Sequence, residues 1–168
     1  GSSILAQGRE IQILSLCGKN IINITAHVDV TEFVQGCKEH GLKFYTAFIC
    51  LMTYVLNRQE YFCFGYDKEG NVVIYDHIAP FYTDSVRNGE SFNCIVTDYC
   101  PDMKMMYESV TADRARYKDI ESMVPDHMTD NVFSITALPL AHYTQLSLND
   151  AARPDSLAPS IACGKYEM

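Results

Sequence analysis

Between Tyr45 and Arg58 the chain predicts a helix with almost no polar side. Its apolar positions 47, 48, 51, 52, 55 and 56 recur at three-to-four spacing, and the positions between them offer little to water. Such a helix needs other elements to cover it on most sides, so the rest of the chain must supply a layer for it to pack on. The apolar run from Phe44 to Leu56, broken by Thr46 and Thr53, falls short of the roughly 20 residues that cross a bilayer. Downstream the period changes to two. Residues 61–66 and 72–76 predict strands joined through Asp67–Asn71, with Gly70 placed for a hairpin turn. Residues 80–86 and 91–99 continue the strand run, separated by Asn88-Gly89. Pro101 suits the first turn of a helix that runs to about Tyr117, with Met103, Met106, Tyr107 and Val110 inward. Strands return at 132–138, 143–148 and 159–163. Upstream, Ile21–Val30 alternates as a strand; Thr31 follows as an N-cap, Phe33, Val34 and Cys37 as a helical stripe, and His40-Gly41 as its end. The sum is α/β in the α+β sense, with an antiparallel or mixed sheet and helices on one side.

Composition narrows the function classes. The 168 residues are 48% hydrophobic and 20% charged, which suits a buried core and disfavours disorder. Thirteen basic against twenty-one acidic residues give a formal charge of −8, so nucleic acid is a poor partner. The densest basic run, Arg114, Arg116 and Lys118, is flanked by Asp113 and Asp119 and reads as a solvated helix face. Cysteines stand at 17, 37, 50, 63, 94, 100 and 163, with no pair two or three residues apart, which excludes close-spaced zinc and thioredoxin-type signatures. They read as free buried thiols in a reducing compartment, the cytoplasm. Gly1-Ser2-Ser3 carries no signal-peptide pattern, and residues 1–8 read as a tag-like or flexible N-terminus before one domain over 9–168.

Site chemistry is sparse. No glycine run makes a phosphate loop, and no two of His27, His40, His77, His127 and His142 stand three or four residues apart as a helical metal pair. No metal is expected. His27-Val28-Asp29 puts an imidazole and a carboxylate on one face of the first strand, where they could form an oriented base or a satisfied structural position. His40 suits a helix end, His77 a strand end at the surface, and His142 has no assigned place. A Cys–His pair formed in space stays open, because spacing does not forbid it.

The order of several short segments is more specific. Lys43-Phe44-Tyr45-Thr46-Ala47-Phe48-Ile49 resembles the Lys-Phe-Tyr-Pro-Ala-Phe-Ile segment of chloramphenicol acetyltransferases, and Val28-Asp29-Val30-Thr31 matches the step before it. Gly70–Asp76, Glu90-Ser91-Phe92, Phe133–Pro139, Leu146-Ser147-Leu148-Asn149, Leu157-Ala158-Pro159 and Gly164-Lys165-Tyr166 follow in the family's order. The resemblance implies a two-layer sandwich with a mixed, largely antiparallel sheet, assembled as a homotrimer. It also implies acetyl transfer from acetyl-CoA to a hydroxyl in a site at the subunit boundary, with a histidine in a His-His-x-x-x-Asp-Gly motif as general base. The family's oxyanion-binding serine maps onto Thr136, which keeps the donor while its methyl restricts χ1. Phe92, Leu146 and Leu148 map onto the lining of the acceptor pocket.

The chain also departs from the pattern. The histidine motif should begin some fifteen to twenty residues beyond Gly164-Lys165-Tyr166, and none of the five histidines has an Asp four residues on. The family's last strand and helix are absent with it, and an omitted segment is the expected cause. Ser134 replaces the Asn before the oxyanion serine, Leu140 replaces a Trp, and Ala162 replaces a threonine that bonds the acceptor. Two function classes follow. The first is an acetyl-CoA-dependent O-acetyltransferase for chloramphenicol or a related small apolar alcohol. The second is a non-catalytic trimeric homologue that acts in binding or assembly.

Overall fold

The computed structural model describes residues 22–86, 91–120, 122, 124–142 and 157–165. The first helix, α1 (Thr31–Glu39), ends where the sequence predicts. Gly41 takes φ +66°, and the Gly41 and Leu42 N–H groups close back on the carbonyls of Lys38 and Cys37. Its start differs from expectation. Val30 holds the cap position, and the Asp29 carboxylate accepts the Thr31 N–H at 2.9 Å.

The apolar helix is α2 (Phe44–Asn57), and its buried face is not the most apolar one. Thr46 and Thr53 are sealed inside, whereas Val55 is 41% exposed. Both threonine hydroxyls are satisfied, Thr53 by donating to the Ile49 carbonyl and Thr46 by accepting from Arg114. A satisfied hydroxyl can be buried at little cost, so apolarity alone does not mark the inner face. A 3₁₀ turn at Glu60–Phe62 occupies the start of the expected strand 61–66 and leaves β1 (Phe64–Tyr66), which pairs antiparallel with β2 (Val72–Ile74). Asp67 builds the turn between them by accepting the Glu69 and Asn71 N–H groups, and Gly70 supplies φ +82°.

The larger sheet contains β3 (Ala79–Ser85), β4 (Phe92–Val96), β5 (Val132–His142) and β6 (Ser160–Lys165) in the order β4-β3-β5-β6. The sheet is mixed, as expected, with more parallel pairing than the succession of short strands suggested. β3 and β4 run antiparallel, while β3–β5 and β5–β6 run parallel. Parallel pairs need long crossovers. The crossover from β3 to β5 contains β4 and α3 (Met103–Arg116), whose first turn is capped by the Asp102 carboxylate, with Pro101 just before the cap.

Strand alternation sorts the side chains into two faces. Tyr82, Ile95, Phe133 and Ile135 point to one side and form the main core with Ile49, Cys50 and Leu56 of α2 and Met106 and Val110 of α3. The helices therefore lie on one face of the sheet. On the other face Ala79, Val96 and Val132, with Phe81 and Tyr99 against them, form a smaller closed cluster, and Cys94, the register partner of Thr83, is buried as well.

One expected strand does not form. Residues 22–30 carry no strand, and Ile22, Ile24 and Val28 are 86%, 84% and 73% exposed. Alternation predicts a strand only where a neighbouring edge can take its hydrogen bonds. The expected strand 143–148 lies outside the described residues. Cys37, Cys50, Cys63, Cys94, Cys100 and Cys163 are free.

Candidate active site

Thr136 sits on the sheet face opposite α2 and α3. Its register partner on β6 is Ala162, and Ser134 pairs with Ser160 two residues earlier, on the same face. On the other side β3 pairs with β5 from Ala79↔Val132 to Tyr82↔Ile135, which brings Thr83 beside Thr136 at the end of that ladder. The two hydroxyl oxygens are 2.7 Å apart, a hydrogen bond in which either can donate. Thr83, Ser134, Thr136 and Ala162 are all half-buried. The structure thus brings together three of the expected site residues, Ser134, Thr136 and Ala162, and adds Thr83. Phe92 projects to the same face from β4, two strands away from β5, and is 43% exposed. Leu146 and Leu148 lie outside the described residues.

Behind the threonines, on the helix side, Tyr45 reaches from α2 into the sheet. Its hydroxyl donates to the Thr83 carbonyl at 3.0 Å and, more weakly, to the Ile135 carbonyl at 3.4 Å. Burial, reinforced by Cys163 and Asp84, pushes this phenol well above its ordinary range, so it stays a donor at any physiological pH. Arg114 lies over the Tyr45 ring, with its guanidinium 5.3 Å from the ring centre. It grips Asp84 of β3 through two bonds of 2.6 and 3.0 Å and donates to the Thr46 hydroxyl at 2.7 Å. This corrects the reading of the basic run. Arg116 and Lys118 face solvent, but Arg114 turns inward because a carboxylate thirty residues earlier in the chain waits there.

The histidines stand elsewhere. His40 caps the end of α1, His77 stacks on Tyr99 at 5.0 Å, and His127 lies 3.4 Å from the Asp98 carboxylate. The Asn131 side chain bonds the His77 carbonyl at the Val132 end of β5. Thr136 is four residues further along that strand, about 13 Å at the strand rise. His27 belongs to the exposed segment before α1, and His142 ends β5. Asp29, read as a possible partner of His27, accepts the Thr31 N–H. Among the described residues no group of three His, Cys, Asp or Glu could hold a metal ion, and no helix is long and apolar enough to cross a membrane.

Thr83 and Tyr45 escape a reading by motif. Thr83 is one β-branched residue in a predicted strand, and only the pairing register shows what it faces. Tyr45 stands inside a recognised segment, yet its hydroxyl contacts depend on two strands far along the chain.

Comparison with known proteins extends beyond this geometry. A family model described as chloramphenicol acetyltransferase matches residues 12–168. The chloramphenicol acetyltransferase of Staphylococcus aureus is 30% identical over 145 residues, covering 86% of this chain and 67% of its own length. That of a Klebsiella species is 31% identical over 144 residues, covering 86% and 65%. A solved chloramphenicol acetyltransferase superposes with a TM-score of 0.63 at 17% identity, over 79% of this chain and 64% of its own, which bears on the fold. The chain spans about two thirds of the length of these relatives.

Proposed function

The chain belongs to the chloramphenicol acetyltransferase family, and from that premise we propose that the complete protein is an acetyl-CoA-dependent O-acetyltransferase acting on chloramphenicol or a related small apolar alcohol. The observation that carries this reading is the hydroxyl pair. Thr136 stands at the position that matches the family's oxyanion donor, half-exposed on the open sheet face, with Thr83 in hydrogen-bond contact.

In this reading the acceptor hydroxyl attacks the acetyl carbonyl and negative charge gathers on the carbonyl oxygen. Thr136 donates its Oγ1 proton to that oxygen. Its remaining lone pairs then accept from Thr83, so the two hydroxyls form a chain polarised toward the developing charge. A donor of this kind contributes mainly in the transition state, where the oxygen is most basic. Ser134, Ala162 and Phe92, with Leu146 and Leu148, make up the acceptor side. The absence of a hydroxyl at Ala162 leaves one acceptor contact unmade and favours an acceptor less polar there than the family's drug. The proton of the acceptor goes to an imidazole of the His-His-x-x-x-Asp-Gly motif, which the resemblance puts after residue 168; as the new C–O bond is kept and the C–S bond breaks, the CoA thiolate leaves and takes that proton back from the imidazole. The homotrimer and the cytoplasmic location are part of the same proposal, with the open sheet face at a subunit boundary.

The test is release of free CoA by the complete protein with acetyl-CoA and chloramphenicol, followed by a panel of apolar alcohols. Acceptor-dependent release is expected, with Thr136→Val lowering kcat by about 10²–10³. No release with any alcohol favours the non-catalytic binding homologue instead.

A further inference from the structure

We propose that Tyr45 is a positioning residue that holds the Thr83 and Thr136 hydroxyls in register from the helix side of the sheet. The inference rests on the assignment of Thr136 as oxyanion donor. Its starting point is where the β3–β5 ladder stops. The paired residues end at Tyr82↔Ile135, so the next carbonyl of β3, on Thr83, and the carbonyl of Ile135, the last β5 residue paired with β3, meet at the end of the ladder. Both are bonded by the single Tyr45 hydroxyl, at 3.0 and 3.4 Å. On the opposite face, at the same level, the Thr83 and Thr136 side chains bond each other at 2.7 Å. The two strands are thus stitched together twice beyond their ladder, once by a phenol among the helices and once by the pair that would face substrate.

The phenol is itself held. Arg114 covers its ring, and the same guanidinium is tied to Asp84, the residue after Thr83, and to Thr46, the residue after Tyr45. The Tyr45 ring also meets the Tyr82 ring edge-on at 6.5 Å. Helix α2, helix α3 and strand β3 are therefore locked at one point, which fixes where the Thr83 backbone sits and where its hydroxyl points. Transition-state donors lose effect steeply when displaced by as little as an ångström, so such a lock acts on rate.

Tyr45→Phe tests this because it keeps the ring and both of its ring contacts and removes only the hydroxyl. In the complete protein, kcat is expected to fall about tenfold while KM for acetyl-CoA stays within about twofold. In a Thr136→Val background the same change is expected to cause no further loss, since it acts through Thr136. Amide hydrogen exchange at Asp84 and Thr136, the N–H groups of the two peptides the phenol holds, is expected to quicken about tenfold with α3 unchanged. Equal factors in both backgrounds, an unchanged kcat, or unchanged exchange at these amides each overturns the proposal. A wild-type kcat for Thr136→Val overturns the assignment of Thr136 itself, and exchange then decides alone whether Tyr45 holds the strands together.

Discussion

The two faces of the four-stranded sheet are built from alternate residues of the same strands and serve opposite ends. On the helix side, Tyr82, Phe133 and Ile135 are sealed, and several polar groups are committed: Tyr82 bonds Thr97, Thr97 bonds Asp113, and Arg114 holds Asp84. On the open side, Thr83, Ser134, Thr136 and Ala162 are small, half-exposed and, apart from the threonine pair, little used by the fold. Stability is concentrated on one face, which leaves the other free to carry chemistry without a packing constraint. The contrast makes a simple claim. Changes on the sealed face should register as lost stability, and changes on the open face as altered turnover, with Tyr45 the one sealed-side group whose hydroxyl reaches the strand ends behind the threonine pair and so acts on both.

The largest effect expected is from Asp84→Ala. It strands the Arg114 guanidinium, whose side chain is 22% exposed, without its counter-charge and should cost about 3–5 kcal/mol. For a chain of this size that is a fall in melting temperature on the order of 10 °C. An Asp84→Leu, Arg114→Met double variant should recover most of it, because neither charge is then left buried alone. Ser134→Ala, one strand away on the open face, should stay within about 0.5 kcal/mol. Thermal melts of the three variants beside the unaltered protein check this directly, and a Ser134→Ala loss as large as that of Asp84→Ala would break the contrast.

How much of this could be read from sequence depends on how local the determinant is. The Asp67–Asn71 turn, the Gly41 helix end and the extent of α3 rest on contacts within five residues, and the sequence pattern locates them. The burial of Thr46 and the inward turn of Arg114 rest on a partner 68 residues away and on Asp84 thirty residues away. Neither partner can be foreseen from the residue itself. The 22–30 segment shows the converse, since its alternation is local but its pairing edge is not. In the site, Thr136, Ser134 and Ala162 were legible only through resemblance to a family. Thr83 became visible once the register of two parallel strands was known.

A second, smaller effect appears in the pH dependence of stability. The sealed side holds Cys50, which burial pushes from 9.0 to about 11, and Tyr45 and Tyr82, which burial raises well above 10.0. All three are neutral when folded, so their contribution is complete below the unfolded values. As pH rises past 9.0 the unfolded thiol ionises while the folded one does not, and that stability is lost up to about pH 11; the tyrosines add to the loss above 10.0. Each group contributes a slope of at most about 1.4 kcal/mol per pH unit. On the alkaline side, urea midpoints should therefore hold from neutral pH to 9.0 and fall above it, and Tyr82→Phe should flatten the fall above 10.0. A midpoint insensitive to alkali would mean that the helix side is wetter than its packing implies.

The smallest effect sharpens the contrast from the other direction. Ala162 is the register partner of Thr136 and half-buried on the open face, so Ala162→Thr adds a hydroxyl next to the threonine pair. A β-branched residue is at home in a strand, and the half-open surface leaves room for two more atoms, so the melting temperature should move by less than about 2 °C. Turnover should move instead. One new hydrogen bond to a bound acceptor is worth about 1 kcal/mol, or roughly fivefold in kcat/KM for alcohols that carry a second hydroxyl. For a mono-alcohol of the same bulk the ratio should stay near one, because the added group finds no partner. Measuring kcat/KM for such a matched pair reads the open face alone. A shift shared equally by both alcohols would mean that the substitution acts through the strand and not through the acceptor, and Ala162 would then belong with the packing side of the sheet.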